Sequence, residues 1–139
     1  MTAGSRLAAV AGHRPRRVVG NQELAGRLGV TASWIERRLG VRRRRFAGPG
    51  ESVTDMAAAA ATKALASAGE PATRVDLIIV ATCSAPSPMP NVASQVATRL
   101  GVPALARLMD LGRVRSGEPV LLLGFGAGLS YAAQVIDCP

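Results

Sequence analysis

Two cysteines and one histidine are the side chains in this sequence that could support nucleophilic catalysis: Cys83, Cys138 and His13. A catalytic thiolate needs a helix amino terminus or a neighbouring base to lower its pKa. Cys83 instead lies at the end of a predicted strand. Cys138 is the penultimate residue, and we predict that its thiol lies on a frayed chain end. His13 lies in an early loop with no second group for a Cys–His pair. We therefore predict no catalytic residue, with a relocated nucleophile at Cys83 as the alternative.

A second kind of chemistry is indicated by Trp34 and Arg38, which are four residues apart in a predicted helix. That spacing places both side chains on one helical face. An indole offers a flat stacking surface, and a guanidinium offers a cation with several hydrogen-bond donors. The pair suits a ligand that combines an aromatic ring with phosphates. The alternative is a half-buried Trp that anchors a short helix beside a solvated Arg.

The strongest charge feature is the contiguous run from Arg42 to Arg45, preceded by Arg37 and Arg38, in a chain of net charge +8. Such a run can meet nucleic acid, a phosphorylated cofactor or an acidic protein, or it can be a solvated loop. No helix-turn-helix, zinc or aromatic RNA-binding signature accompanies it, so nucleic acid is the minor option.

Composition excludes several protein classes. The chain has 139 residues, 48% hydrophobic and 19% charged, which favours one folded domain over disorder. No apolar run is long enough for a membrane span. The N-terminus has no basic region followed by an apolar run, so we expect no secretory signal. The cysteines form no metal-binding cluster, so we predict a reduced, cytoplasmic protein without a metal site.

In the first half, the pattern predicts a strand over Arg6 to Gly12 and a helix that Asn21 caps. Ser33 and Glu36 have capping-box spacing and predict a second short helix. The arginine run follows as a strand or extended segment.

The middle of the chain contains a second capping-box pair, Ser52 and Asp55, which opens a long Ala-rich helix to about Ala68. Val75 to Thr82 is an apolar, β-branched run, as expected of a strand covered on both faces. Asn91 then caps a helix that runs to about Leu100.

The last third predicts a helix over Pro103 to Leu111, a strand over Val120 to Phe125, a glycine-rich bend and a return strand over Leu129 to Ile136. The bend, GFGAG, is followed by a strand-like segment, whereas a dinucleotide fingerprint opens a helix. Helices alternating with buried strands indicate an α/β layered fold.

In order and spacing, these segments resemble β-ketoacyl-acyl-carrier-protein synthase III, a thiolase-fold condensing enzyme. The resemblance rests on Trp34-Ile35-x-x-Arg38 followed by Gly40-Val41-Arg42, on LIIVATCSAPSPMPNVASQVATRLG (77–101), and on GRVRSGEPVLLLGFGAGLSYAAQV (112–135). The family usually has acidic residues just before the Trp, where this chain has Ala32 and Ser33.

The resemblance implies a truncated thiolase-like α/β fold that keeps parts of both halves of the family's structure. Residues 1–101 resemble the N-terminal part and residues 102–139 the C-terminal end. The family's nucleophilic cysteine, histidine and asparagine belong to the stretch missing between Gly101 and Val102. The resemblance thus points to an internal deletion of the catalytic middle.

The resemblance also assigns ligand roles. It implies that Trp34 stacks on the adenine of coenzyme A and that Arg38 holds the same nucleotide, so a coenzyme A thioester is the candidate ligand and no cofactor is permanently bound. Gly126, Ala127 and Gly128 would be the remnant of the oxyanion loop, with the Ala127 N–H as its donor.

The function implied is that of fatty-acid or polyketide chain initiation, in which an acyl-coenzyme A and malonyl-carrier protein are condensed. We expect this chain to be inactive because the three reacting residues are missing. The alternative is a non-catalytic partner of a full-length synthase or of acyl-carrier protein, and self-association is expected in either case.

Overall fold

The structure, a computed structural model, describes residues 5–82, 84–85, 91–102, 118–126 and 130–137. Strands and helices alternate along the described chain, which confirms the predicted α/β class. In chain order they are β1 (Arg6–His13), β2 (Arg17–Gly20), α1 (Asn21–Leu28), α2 (Ala32–Leu39), β3 (Arg43–Phe46), α3 (Val53–Ala68), a 3₁₀ turn (Ala72–Arg74), β4 (Leu77–Ala81), α4 (Val92–Leu100), β5 (Pro119–Gly126) and β6 (Ser130–Asp137).

The main sheet has four strands in the order β1-β6-β5-β4. Strand β6 is antiparallel to both of its neighbours, β1 and β5, while β4 and β5 are parallel. The β5–β6 pair therefore lies between β1 and β4. Strands from residues 1–101 and from residues 102–139 share this one sheet, and the boundary between the two segments stays a prediction.

Helix α3 covers one face of the sheet through its alanines. Ala57, Ala60, Ala61 and Ala64 recur at helical spacing and are all fully buried. Because these side chains are short, the helix can approach β1 and β6 closely. The sheet residues of this core cluster include Leu121, Leu123, Tyr131, Ala133 and Val135.

Two polar contacts fix α3 and α4 relative to each other. The Thr54 hydroxyl donates to Gln95 Oε1 at 2.8 Å, and Arg99 forms an ion pair with Asp55. Asp55 also completes the capping box with Ser52, as predicted. The Asn91 side chain caps α4 by accepting from the Ser94 N–H, as predicted.

The opposite face of the sheet is open among the described residues, which corrects the expectation that β4 is covered on both faces. Ile78 is buried against the helices, but Ile79 is 47% exposed. The cause is that α3 and α4 both pack on the same side. The open face forms a depression of about 330 Å³, whose lining includes Ile79, Ala81, Leu122, Gly124, Ala132 and Gln134.

Helices α1 and α2 begin differently from the sequence prediction. Gly20 is the N-cap residue of α1, and Asn21 makes no capping bond; its side chain bonds instead to Val41, Ala32 and Arg44. Thr31, not Ser33, caps α2, and Glu36 pairs with Arg42. In α1, tertiary partners thus replace the predicted cap, whereas in α2 a different local residue provides it.

The structure also differs from the sequence predictions at β2 and at His13. Strand β2, antiparallel to β3, was not predicted, and His13 ends β1 rather than lying in a loop. The predicted helix over Pro103 to Leu111 lies outside the described residues. Within the described ranges, no helix combines the length and the apolar character that crossing a bilayer requires.

The capping box of α3 generates a stability prediction. The substitution Ser52→Ala should lower the free energy of unfolding by about 1 kcal/mol, because the Asp55 N–H loses its side-chain acceptor. Chemical denaturation would measure the change. Ser67→Ala, at an exposed site in the same helix, is the matched control and should have little effect; equal losses in both variants would contradict the role of the cap.

The same site predicts a pH dependence. The hydrogen bond from the Ser52 hydroxyl, assisted by Arg99, lowers the pKa of Asp55 below its ordinary value of 3.8. A lowered folded-state pKa adds stability that is present above the ordinary value and lost as pH falls through the folded value. The stability difference between the wild type and Asp55→Asn should therefore shrink as pH falls below that ordinary value.

Candidate functional site

Helix α2 presents the candidate site. Its first turn is closed by the Thr31 hydroxyl, which accepts a hydrogen bond from the Trp34 N–H at 3.1 Å. Ile35 is buried and anchors the helix. Gly40, in the left-handed conformation at φ 66°, ends the helix with its N–H bonded to the Glu36 carbonyl. The short helix is thus fixed at both ends and on one face.

The structure brings Trp34 and Arg38 together on the outer face of α2. The Arg38 guanidinium carbon lies 6.0 Å from the centroid of the Trp34 ring, at the edge of cation–π range. Trp34 remains 45% exposed and Arg38 is exposed. An aromatic ring could stack on the free part of the indole while a phosphate meets the guanidinium. This is the arrangement that the i, i+4 spacing predicts.

The arginine run is not a uniform basic surface. Arg42 donates to Glu36 Oε1 at 2.5 Å, and Arg45 donates to the carbonyls of Pro15 and Arg16. Arg44 donates to the Asn21 side chain. These three arginine side chains therefore already have hydrogen-bond acceptors within the protein.

Hydrogen bonding does not bury all of these arginines, because the Arg42 side chain stays 80% exposed beside Glu36. Arg37 and Arg38 are exposed on the helix, and Arg43 is exposed on β3. Of these, Arg38 lies beside the indole, where its guanidinium can attract an anion.

The remaining candidate residues do not assemble into a second site in the described chain. His13 lies opposite Tyr131, whose pKa is raised by burial. Cys83 and Cys138 lie outside the described residues. No group of His, Cys, Asp and Glu side chains in the described ranges could hold a metal ion.

The predicted oxyanion-loop remnant is described only at its first residue. Gly126 is the last residue of β5 and pairs with Ser130 of β6. Ala127 and Gly128 lie outside the described residues, so the donor role of Ala127 stays a prediction.

Sequence reasoning missed two residues that shape the site. Thr31 lies three residues before Trp34, and this spacing of a hydroxyl to a helix N–H could have indicated the cap. Asn21 follows Gly20 and was interpreted as a cap itself. No local pattern shows that its partners lie 11, 20 and 23 positions away.

The chain is similar to proteins of known family in both sequence and fold. The family model described as 3-oxoacyl-[acyl-carrier-protein] synthase III C terminal matches residues 91–138. A Streptomyces coelicolor protein, β-ketoacyl-[acyl-carrier-protein] synthase III 4, is 48% identical over 117 residues, which are 84% of this chain and 37% of the relative. A Streptomyces avermitilis relative, synthase III 2, is 46% identical over 82% of this chain and 36% of its own length.

Solved structures show the same relationship. A crystal structure of 3-oxoacyl-(acyl-carrier-protein) synthase III superimposes with a TM-score of 0.78 at 27% identity, covering 97% of this chain and 50% of that one. A priming β-ketosynthase from a polyketide biosynthetic pathway gives a TM-score of 0.81 at 25% identity, covering 97% of this chain and 50% of that one. The fold is therefore thiolase-like.

These matches show a chain that is similar to ketoacyl synthase III proteins. The chain spans just over a third of the length of the two Streptomyces relatives. The family-model match begins at residue 91, ahead of the boundary that the sequence predicts at 101/102.

Proposed function

We propose that this chain is a non-condensing ketoacyl synthase III-like protein that binds coenzyme A thioesters through Trp34 and Arg38. The observation that carries the proposal is the half-exposed indole with a guanidinium 6.0 Å from its centroid. The ring supplies the stacking surface for adenine, and the cation supplies a partner for the nucleotide's phosphates. No cofactor is held permanently, because the ligand enters and leaves at the surface.

The absence of condensation follows from the residues present. Condensation through an acyl-enzyme needs an activated thiolate and groups that stabilise the second substrate's carbanion. The sole histidine, His13, ends β1 opposite Tyr131. The sequence has no counterpart of the family's nucleophile, histidine and asparagine between Gly101 and Val102. The loop at Gly126 to Gly128 would then be an oxyanion donor without a nucleophile opposite it.

A test of this point is a condensation assay of the purified 139-residue chain with acyl-coenzyme A and malonyl-carrier protein. We expect no β-ketoacyl product above the no-enzyme background, because the covalent route is removed rather than slowed. Product that disappears in Cys83→Ala would contradict the proposal and make Cys83 a relocated nucleophile.

A second test concerns coenzyme A binding. Trp34 is the only tryptophan, so intrinsic fluorescence reports on this site alone. Coenzyme A should quench it, pantetheine should not, and added salt should weaken the quenching because the phosphate contacts are exposed. Arg38→Gln should lower the affinity about tenfold, as loss of a charge-assisted hydrogen bond does.

The matched control is Arg27→Gln, which removes the same charge from an exposed position at the end of α1. It should change the affinity by less than about twofold if only long-range attraction is lost. Equal losses in both variants would contradict a specific site at Arg38. Binding to one DNA sequence that survives about 200 mM salt would instead favour the nucleic-acid interpretation of the arginine run.

The second candidate function is that of a non-catalytic partner of a full-length synthase or of acyl-carrier protein. The open face of the main sheet favours this function, because two rows of mostly small or apolar residues cross all four strands there. One row contains Val10, Gln134, Leu122 and Ile79, and the other contains Gly12, Ala132, Gly124 and Ala81. Each uncovered Leu, Ile or Val side chain forgoes about 1.5–3 kcal/mol of burial. Co-purification with either protein would distinguish this function from the first.

For the chain alone, the available cover for this face is a second copy, and we expect self-association through it. Ile79→Lys should shift the chain towards monomer, because it places a charge beside Leu122 on the open face. Val18→Lys is the control, since Val18 is 46% exposed but lies on β2, away from the sheet. Size-exclusion chromatography with light scattering measures the mass. A wild-type monomer with a sharp melt well above ambient temperature would contradict the expectation.

A further inference from the structure

We propose that Asn21 and Arg44 are positioning residues that set the orientation of α2, and through it the Trp34–Arg38 pair. The inference deepens the proposed coenzyme A site and rests on that proposal for its functional meaning. It is carried by a separate observation, the hydrogen-bond geometry of a buried asparagine.

Asn21 connects three parts of the chain. Its Nδ2 donates to the Val41 carbonyl at 2.8 Å and to the Ala32 carbonyl at 3.4 Å, and its Oδ1 accepts from Arg44 Nη2 at 2.6 Å. Its backbone N–H bonds to the Arg42 carbonyl at 3.3 Å. Asn21 is only 7% exposed, so these bonds replace water contacts.

The two carbonyls that Asn21 contacts lie at opposite ends of α2. Ala32 is the first residue of the helix, two positions before Trp34, and Val41 follows Gly40, which ends the helix. A single planar amide therefore holds the first residue of the helix and the segment after the helix at a fixed separation. A rotation of α2 would break at least one of these bonds.

Arg44 fixes the amide in turn. Both oxygen and nitrogen of Asn21 have defined partners, so the Arg44 bond to Oδ1 determines which way the amide faces. Arg44 Nη1 is buried and has no acceptor within the described ranges. A buried donor without an acceptor reduces stability. Stability alone therefore does not account for a guanidinium here, whereas holding the amide in one orientation does.

The consequence for binding is geometric. A stacking plane and a phosphate contact bind one nucleotide together only if both are held in place before the ligand arrives. Loosening the Asn21–Arg44 contact should change the environment of Trp34 even without ligand. It should also weaken coenzyme A binding without removing any group that touches the nucleotide.

The experiment uses Trp34 as the probe in the full 139-residue chain. Asn21→Asp keeps an acceptor for Arg44 but cannot donate to the two carbonyls; its control is Gln22→Glu, the same amide-to-carboxylate change at an exposed neighbour. Arg44→Lys keeps the charge but loses the fixed guanidinium geometry; its control is Arg27→Lys. Emission maximum, acrylamide quenching and coenzyme A titration are measured for each, with circular dichroism to verify folding.

We expect Asn21→Asp and Arg44→Lys to shift the Trp34 emission maximum and to change acrylamide quenching. Both variants should also lower coenzyme A affinity about fivefold, because a site whose supporting contacts are loosened holds its ligand less well. The two controls should match the wild type. Unchanged Trp34 signals in folded Arg44→Lys, or equal shifts in the controls, would overturn the inference, and Arg44→Lys decides if Asn21→Asp does not fold.

The two proposals fail differently. If wild type does not bind coenzyme A but the Trp34 signals still move in the variants, the proposed ligand is wrong and the positioning role stands. If wild type binds coenzyme A and the variants bind it equally well, the positioning role is wrong and the proposed ligand stands.

Discussion

The pairing of β6 with both β1 and β5 is the interaction on which the rest of the structure depends. It joins the last described strand of the chain to the first, and it places Ala133 and Val135 under the alanine face of α3. Without β6, β1 would lose its only partner in the described sheet, and α3 would lose much of its cover. The ion pair between Arg6 and Asp137 reinforces the end of this pairing, but both groups are partly exposed, so its contribution is small.

This arrangement explains why the molecule has one well-covered face and one open face. Helices α3 and α4 pack on the same side of the main sheet, and the small side chains of α3 allow it to lie close to the sheet. The opposite face keeps an apolar row that no described element covers. The β2–β3 pair with α1 and α2 has a small core of its own, in which Val19 and Ile35 are buried, and it relies on polar contacts such as those of Asn21.

Much of the local structure could be predicted from sequence, because its causes are local. Ser52 and Asp55 formed the predicted capping box, and Gly29, Gly40 and Gly69 end helices in the left-handed conformation. The pairing of Trp34 with Arg38 followed from helical spacing alone. These features depend on residues within one or two turns of each other.

The errors arose where distant partners decide the outcome. Asn21 has the side chain of a cap but meets residues up to 23 positions away, and no local pattern encodes that choice. The apolar run containing Ile79 reads as a strand covered on both faces, yet cover depends on which side the helices pack. Strand order is likewise non-local, since nothing in β1 or β4 indicates that a hairpin lies between them.

The most direct test of this account is a measurement of strand neighbours in the isotopically labelled 139-residue chain. Nuclear Overhauser effects between backbone protons of paired residues would report the order of strands in solution. The account predicts contacts of Ala11 with Ala133 and of Ile79 with Leu122. Direct contacts between β1 and β4, with β6 exchanging freely with solvent, would contradict it.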